Sequence, residues 1–397
     1  MIYKVVIIGH SYSSRLSLVR AVARLGCEIT VVVTTIDNNR KTKPPIDSYS
    51  KYVSRVLYCK RRDEDALISL LMDKCKDPIR KVVLIPDGDD IVAAIDKHKD
   101  ELQAYFAFPY IAKEPSSLTY WMEKNNQKNL AREIGLTVAD GVVIDIVDGH
   151  CSLSDRIKYP CFIKPLATMI GGKGGMRKCG SQEELEAALD YIAKYRNATE
   201  KVLVEDYKEI DTEYALLGFS DGNEVIIPGI LKFIAVSKQN KGIALQGKVM
   251  PVTGFESLME QYKQLVLKIG FVGVFDIDFY KSDDEFYFCE LNLRYGGSGY
   301  AITKMGVNLP AMMVKHFYGE SIDDMRKSIS GEAIYVNDRM CMADWENGYI
   351  AMDEYKRYLR SADIRFVPDE NDRGPERKYN KEFWLKRIKK TIKRLLP

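Results

Sequence analysis

The chain has 397 residues, 46% hydrophobic and 29% charged, which excludes a largely disordered, collagen-like or small disulfide-stapled protein. Its length predicts two or three domains with a core that needs neither disulfides nor structural metal. The net charge of +3 is uneven: residues 381–397 carry +6 and the remainder −3, so a general nucleic-acid binder is not expected.

Tyr3–Ile8 is apolar apart from Lys4, as in a buried parallel strand, and is broken by Gly9-His10-Ser11. Apolar residues at 16, 18, 19, 22, 23 and 25 predict a helix over 14–25, ended by Gly26. Strands follow at Glu28–Val33 and Val82–Ile85, the latter closed by Pro86-Asp87-Gly88. This alternation predicts a small doubly wound α/β domain ending near residue 113, without a GxGxxG dinucleotide turn. A helix is expected over 120–134, stopping at Gly135, then a short strand at Cys161–Lys164 and a glycine cluster at Gly171, Gly172, Gly174 and Gly175. Ser181 and Glu184 form a capping box for a helix over 182–195. Val202–Glu205 reads as a strand, and Glu213–Ser220 and Val225–Lys232 as an antiparallel pair around Asp221-Gly222-Asn223. A helix over 262–269 precedes a hairpin of Phe275–Tyr280 and Phe286–Leu293; residues 331–380 are weakly patterned.

No run of eighteen uncharged apolar residues is present, so no spanning helix is expected. The opening apolar run is too short for a secretion signal, and the eight cysteines include no CxxC pair. Together these predict a cytoplasmic protein with reduced thiols. The four histidines show no metal-ligand spacing.

Chemistry concentrates in the hairpin. Asp276 and Asp278 share one face of its first strand; Glu290, Asn292 and Arg294 share one face of its second, alternating with Leu291 and Leu293. With Asp283 at the turn, Asp276 opposes Glu290 and Asp278 lies one step away. An even register puts all five on one face, and a one-residue slip separates them. Carboxylates and an amide oxygen on one face suit a hard cation such as Mg²⁺. Arg294 suits phosphate or carboxylate, and Gly296-Gly297-Ser298-Gly299 follows directly. The plainer alternative is a charged solvent face. Lys164 ends an apolar strand beside the glycine cluster, a place for a polyphosphate, although the loop is not a Walker A sequence. The strand ending at Glu205, Asp206 and Tyr207 can offer backbone groups to a purine edge, and Glu213 a carboxylate to ribose hydroxyls; alone, such residues are more often surface charge.

In this order, Met122-Glu123-Lys124, Phe162-Ile163-Lys164-Pro165, the 171–175 loop, Glu205–Tyr207, Glu213, Asp278, Glu290, Asn292 and Arg294 resemble the ATP-grasp superfamily over about 122–310. Tyr49-Ser50-Lys51-Tyr52-Val53, the stretch from Gly88 through Phe108-Pro109-Tyr110-Ile111, and Glu290–Arg294 through Gly306-Val307-Asn308-Leu309 are similar to carboxylate–amine ligases of the bacterial D-aspartate ligase kind, over most of 1–320. The resemblance implies an α/β (α+β grasp) fold. A Rossmann-like pre-grasp domain (1–113) would precede two grasp subdomains (114–200 and 201–330) and a C-terminal extension (331–397).

It further implies Lys124 and Lys164 as nucleotide lysines, the 171–175 glycines as the phosphate-covering loop, and Glu205, Asp206 and Tyr207 as the adenine hinge. Glu213 becomes the ribose acid and Asp278, Glu290 and Asn292 the ligands of Mg²⁺, with Mn²⁺ as an alternative. Arg294 would stabilise the transferring phosphoryl group, with Lys232 a further candidate on the same cleft. The reaction implied joins a small-molecule carboxylate, D-aspartate-like, to an amine of a cell-envelope precursor through an acyl phosphate, consuming ATP. Carbamoyl-phosphate-synthase-like phosphorylation of bicarbonate or carbamate, or a non-catalytic ATP-binding module, are the alternatives. No nucleic-acid partner is expected, and a homodimer is compatible.

Trp384, Leu385, Ile388, Ile392, Leu395 and Leu396 lie near one helical stripe among basic residues. That pattern fits an interfacial helix making peripheral contact with the inner face of a membrane through 381–397, or a terminal helix docked on the acidic body.

Overall fold

The computed structural model describes residues 2–10, 12–35, 44–166, 176–195, 200–240 and 242–395. The first sheet is parallel. Lys4–Gly9 lies at its centre, with Glu28–Thr35 and then Val53–Lys60 on one side and Val82–Asp87 and then Phe106–Ala107 on the other. The winding direction therefore reverses between Lys4–Gly9 and Val82–Asp87. Val53–Lys60 was not expected as a strand: it is an edge strand, Ser54 and Arg55 face solvent, and its apolar residues do not alternate with polar ones. The helix Tyr12–Ala23 carries Leu18, Val19 and Val22 into the core beneath Val5 and Ile7.

A small antiparallel sheet follows in the order Gly141–Ile146, Glu200–Asp206, Cys161–Pro165, Arg177–Cys179. The helix Gln182–Tyr195 covers it, packing Leu185, Leu189 and Ile192 on Val142, Ile163 and Val202. Its cap is the expected box: the Glu184 N–H donates to Ser181 Oγ at 3.4 Å, and the Glu184 carboxylate accepts from the Gly180 N–H at 2.7 Å.

The large sheet runs in the order Glu285–Asn292, Phe271–Ser282, Thr212–Asp221, Ile230–Val236, Ala244–Met250, Ala333–Val336, Ile364–Arg365. Tyr110–Ile111 and Val225–Ile226 attach at its side. The weakly patterned segment after residue 330 thus contributes two strands to this sheet. Glu256–Ile269 packs Tyr262, Leu265, Val266 and Ile269 against Phe275, Ile277 and Phe279 on one face. The other face meets the parallel domain through Leu217, Phe219 and Val274.

The helix expected over 120–134 is two helices, Leu118–Trp121 and Lys124–Glu133, because Glu123 is extended. Lys124 thereby opens the second helix. Gln127, one turn on, binds the edge of the large sheet: its side-chain amide donates to the Leu291 carbonyl at 2.7 Å, and its oxygen accepts from the Leu291 N–H at 2.8 Å.

The C-terminal helix Arg373–Leu395 docks on the body through one side. Tyr379 is buried, its hydroxyl 2.8 Å from that of Tyr355, and Phe383 stacks on Tyr355. Arg339 donates to Glu382 at 2.9 Å, and Lys386 pairs with Glu346. Trp384, Leu385 and Ile388 face outward, 56%, 46% and 53% exposed. Among the described residues no helix is long and apolar enough to cross a membrane.

Candidate active site

The hairpin turn is Asp283-Asp284, both at positive φ (49° and 64°), the two-residue form whose twist matches the flanking strands. From it, Ser282 pairs with Glu285, Lys281 with Phe286, Tyr280 with Tyr287 and Phe279 with Phe288. Cys289 is then skipped, and Asp278 pairs with Glu290, Ile277 with Leu291 and Asp276 with Asn292. The expected pairing of Asp276 with Glu290 is therefore corrected by two positions. The shift is even, so Asp276, Asp278, Glu290 and Asn292 occupy one face.

Asn292 donates to Asp278 at 3.2 Å, and Lys124 Nζ lies 2.5 Å from Glu290 Oε2. Burial opposes the Glu290 charge, but Lys124, Lys164 and Arg294 outweigh it and hold the carboxyl at about 2. At Asp278 the attraction of Arg294 and the Asn292 hydrogen bond are outweighed. Burial and the neighbouring Asp276 and Glu290 push it well above the ordinary carboxylate range. Asp276 is pushed up to about 7, chiefly by burial. Gly296 lies so close that a Cβ there would sit 2.4 Å from Asp276 Oδ2.

Facing these acids is a lysine cluster. Lys164 Nζ lies 2.5 Å from Glu205 Oε2, and Lys128 contacts the other Glu205 oxygen. Lys128 was not anticipated; it lies four residues after Lys124 on the same helix, so the i, i+4 spacing was its signal. Burial, reinforced by neighbouring lysines, lowers the amines of Lys164 and Lys128. The thiol of Cys289 lies within the electrostatic reach of both and is raised by burial.

Arg294 reaches the parallel domain: its Nε donates to Asp89 at 2.6 Å, and its NH2 group lies 3.5 Å from Asn292 Oδ1. Against burial, Asp89, Asp276 and Asp87 keep the guanidinium charged. Asp87 was read only as the close of a strand, and Asp89 was not singled out.

The other expected residues divide. Glu213 pairs with Tyr280, which puts it on the Asp278 face one strand over. Asp206 points toward Lys158 at 3.9 Å, and the Tyr207 ring lies under Lys178. Their N–H groups donate to Asp140 and Pro160. Neither side chain joins the lysine cluster, because the strand alternation that turns Glu205 inward turns Asp206 outward. Lys232 pairs with Tyr214 and Lys248. Leu231, not Lys232, shares the face of Ala215 and Asp278, so Lys232 leaves the expected cleft set. Gly171, Gly172, Gly174 and Gly175 lie outside the described residues.

Among the described residues no group of three or more His, Cys, Asp or Glu gathers into a metal cluster. The donor set is two carboxylates and an amide oxygen, Asp278, Glu290 and Asn292. It fits Mg²⁺, which takes few protein oxygens and completes its shell with phosphate and water. The Asp276 Oδ1 has no hydrogen-bond partner and adds negative charge beside it.

Residues 123–325 match the family model "Carbamoyl-phosphate synthase L chain, ATP binding domain". The carbamoyl phosphate synthase large chain of Agathobacter rectalis is 24% identical over 256 residues, covering 62% of this chain and 22% of that protein. The D-aspartate ligase of Enterococcus faecium is 23% identical over 258 residues, covering 62% of this chain and 61% of that protein. The match therefore spans about a fifth of the first relative's length and less than two thirds of the second's. The biotin carboxylase of Campylobacter jejuni, solved as a β-γ-ATP complex, superposes with a TM-score of 0.63 at 19% identity, over 83% of this chain and 74% of that one, and shows a shared fold. The matched segment contains Lys124, Lys164, Glu205, Asp278, Glu290, Asn292 and Arg294, and the chain belongs to the ATP-grasp family of carbamoyl-phosphate synthase L chain ATP-binding domains.

Proposed function

We propose that the chain is an ADP-forming carboxylate–amine ligase that activates an amino-acid carboxylate as an acyl phosphate and passes it to an amine. The observation that carries this reading is the single face bearing Asp278, Glu290, Asn292 and Arg294 opposite Lys124 and Lys164. Lys124 and Lys164 hold the α- and β-phosphates, and Asp278, Glu290 and Asn292 hold Mg²⁺. The bound cation neutralises the β- and γ-phosphates. Arg294, oriented by Asp89, faces the phosphoryl group as it transfers to the donor carboxylate. The acyl phosphate then has a leaving group that a free carboxylate lacks. The amine forms the C–N bond as the C–O bond to phosphate breaks. Positioning and charge neutralisation do most of the work in such transfers.

The likeness to D-aspartate ligase favours a D-aspartate-like donor and an acceptor in a cell-envelope precursor. The likeness to carbamoyl phosphate synthase supports the second reading, phosphorylation of bicarbonate or carbamate. In this scheme 1–113 precedes the grasp unit, 114–200 and 201–330 form it, and the tail makes peripheral contact with the membrane through the outward Trp384, Leu385 and Ile388.

Phosphate release with Mg-ATP across amino acids of both hands, with and without hydroxylamine, tests the reading. Release with one acid, together with its hydroxamate, is the expected result. Release with bicarbonate alone selects the second reading.

A further inference from the structure

Cys161 and Cys179 are free thiols on neighbouring antiparallel strands, Cys161–Pro165 and Arg177–Cys179, and the register sets them directly opposite each other. Among the described residues no other two cysteines are opposed in a sheet. The pair lies on the side away from the nucleotide lysines. Cys161, Ile163 and Cys179 belong to the core beneath the helix Gln182–Tyr195, whereas strand alternation turns Lys164 to the other face. Opposed residues of an antiparallel pair have Cα atoms about 4.5–5.5 Å apart, inside the disulfide window of about 4.4–6.8 Å. A bond between the two sulfurs therefore leaves the strand pairing in place. The thiols are close enough that each perturbs the protonation of the other.

With the sheet closed both thiols are shut off. Cys161 is 1% and Cys179 0% exposed, and burial pushes Cys161 up to about 11 and raises Cys179. Access comes through the strand itself. Arg177–Cys179 is three residues long, lies at the sheet edge and is held on one side only, by Cys161–Ile163. A short edge held by so few ladder bonds opens locally at low cost. We propose that Cys161 and Cys179 are a reversible disulfide site, formed by exchange with a low-molecular-weight disulfide, that staples the edge strand to the strand carrying Lys164. One protein thiolate attacks the small disulfide, which gives a mixed disulfide and releases one small thiol. The second protein thiolate then attacks the protein sulfur of the mixed disulfide, forms the Cys161–Cys179 bond and releases the other small thiol. The two protein thiols give up two electrons and two protons, and the small disulfide takes them up as two thiols. Closing 161–179 into a ring restricts the unfolded chain, so the oxidised form is the more stable. This inference goes beyond the ligase reading and does not depend on it.

The test needs no turnover. The full chain is incubated with glutathione disulfide, digested without reduction and mapped by mass spectrometry. The expected product is a cross-linked peptide pair joining Cys161 to Cys179, lighter than the reduced peptides by two hydrogens. The melting temperature should rise by about 3 °C or more over the reduced chain and return on treatment with dithiothreitol. Cys161→Ala and Cys179→Ala should each abolish both changes. Cys151→Ser, which removes an exposed thiol, should leave both in place. The wild-type map decides the matter even where an alanine variant misfolds. No cross-linked pair from the wild-type chain, a mixed disulfide that persists at either cysteine, an unchanged or lower melting temperature on oxidation, or a rise that survives in the alanine variants overturns the inference.

Discussion

Asp278 lies directly across the hairpin from Glu290, and the one-residue bulge at Cys289 puts it there. The two-residue turn alone sets a register in which Asp278 would face Cys289 and the two acid sets would point to opposite sides. The bulge adds one position and restores the common face.

Deleting Cys289 removes the bulge and its extra position together, so Phe279 should still pair with Phe288 and Asp278 with Glu290, and the carboxylates should keep their common face. The expected outcome is retention of detectable ATP binding, and its loss would contradict this register. Cys289→Ser, which keeps the bulge, should retain nucleotide binding within about threefold of wild type, read by nucleotide-dependent thermal shift.

Glu290→Gln should reduce ATP turnover at least ~10²-fold, since it removes a carboxylate facing the transferring phosphoryl group. Its effect on stability should be small, about 1–2 kcal/mol, because the lost partner of Lys124 is offset by relief of repulsion on Asp278. Lys124→Met is the contrasting case. It leaves three crowded carboxylates without that cation and should cost about 3–5 kcal/mol in denaturant unfolding. Equal stability losses in the two variants would contradict this division of charge.

Asp276 is raised to about 7 in the folded chain from an ordinary value of 3.8. Between those values the folded state binds more protons than the unfolded state, so this group makes stability fall as pH rises from about 4 to 7. Asp276→Asn should therefore be more stable than wild type at pH 8, by about 2–4 kcal/mol, with the difference shrinking toward pH 4. A pH-independent difference between the two unfolding curves would contradict it.

In the tail, Trp384→Ser with Ile388→Ser should weaken binding to vesicles rich in anionic phospholipid by tenfold or more and leave the melting temperature within about 2 °C. Phe383→Ala should do the reverse, lowering stability by about 2–4 kcal/mol, because its ring packs on Tyr355 and Trp345. Unchanged vesicle binding in the double variant would remove the membrane role.

Where a segment's burial was uniform, its structure was legible in the sequence. Val5–Ile8 and Val82–Ile85 are buried on both sides and read as strands, whereas Val53–Lys60 lies at an edge and its apolar residues show no strict alternation. The carboxylate face was legible as a pattern, but its register depended on a bulge that no residue type announces. Lys232 shows the converse error: its charge was visible, but only strand pairing reveals that Leu231 holds the cleft side. Asp87 read only as a strand stop, and Asp89 drew no reading, because its partner Arg294 lies some two hundred residues away.

The Gln127 side chain ties the helix Lys124–Glu133 to the outer edge of the large sheet at Leu291. Lys124 therefore shares the motion of Glu290, whereas Lys164 and Glu205 ride on the four-stranded sheet. A swing of that sheet would move Lys164 away from Lys124 and would break both the contact between Lys128 and Glu205 and the bond from the Lys124 N–H to the Leu166 carbonyl. On the proposed reading, opening the cleft to a nucleotide would coincide with the loss of those contacts.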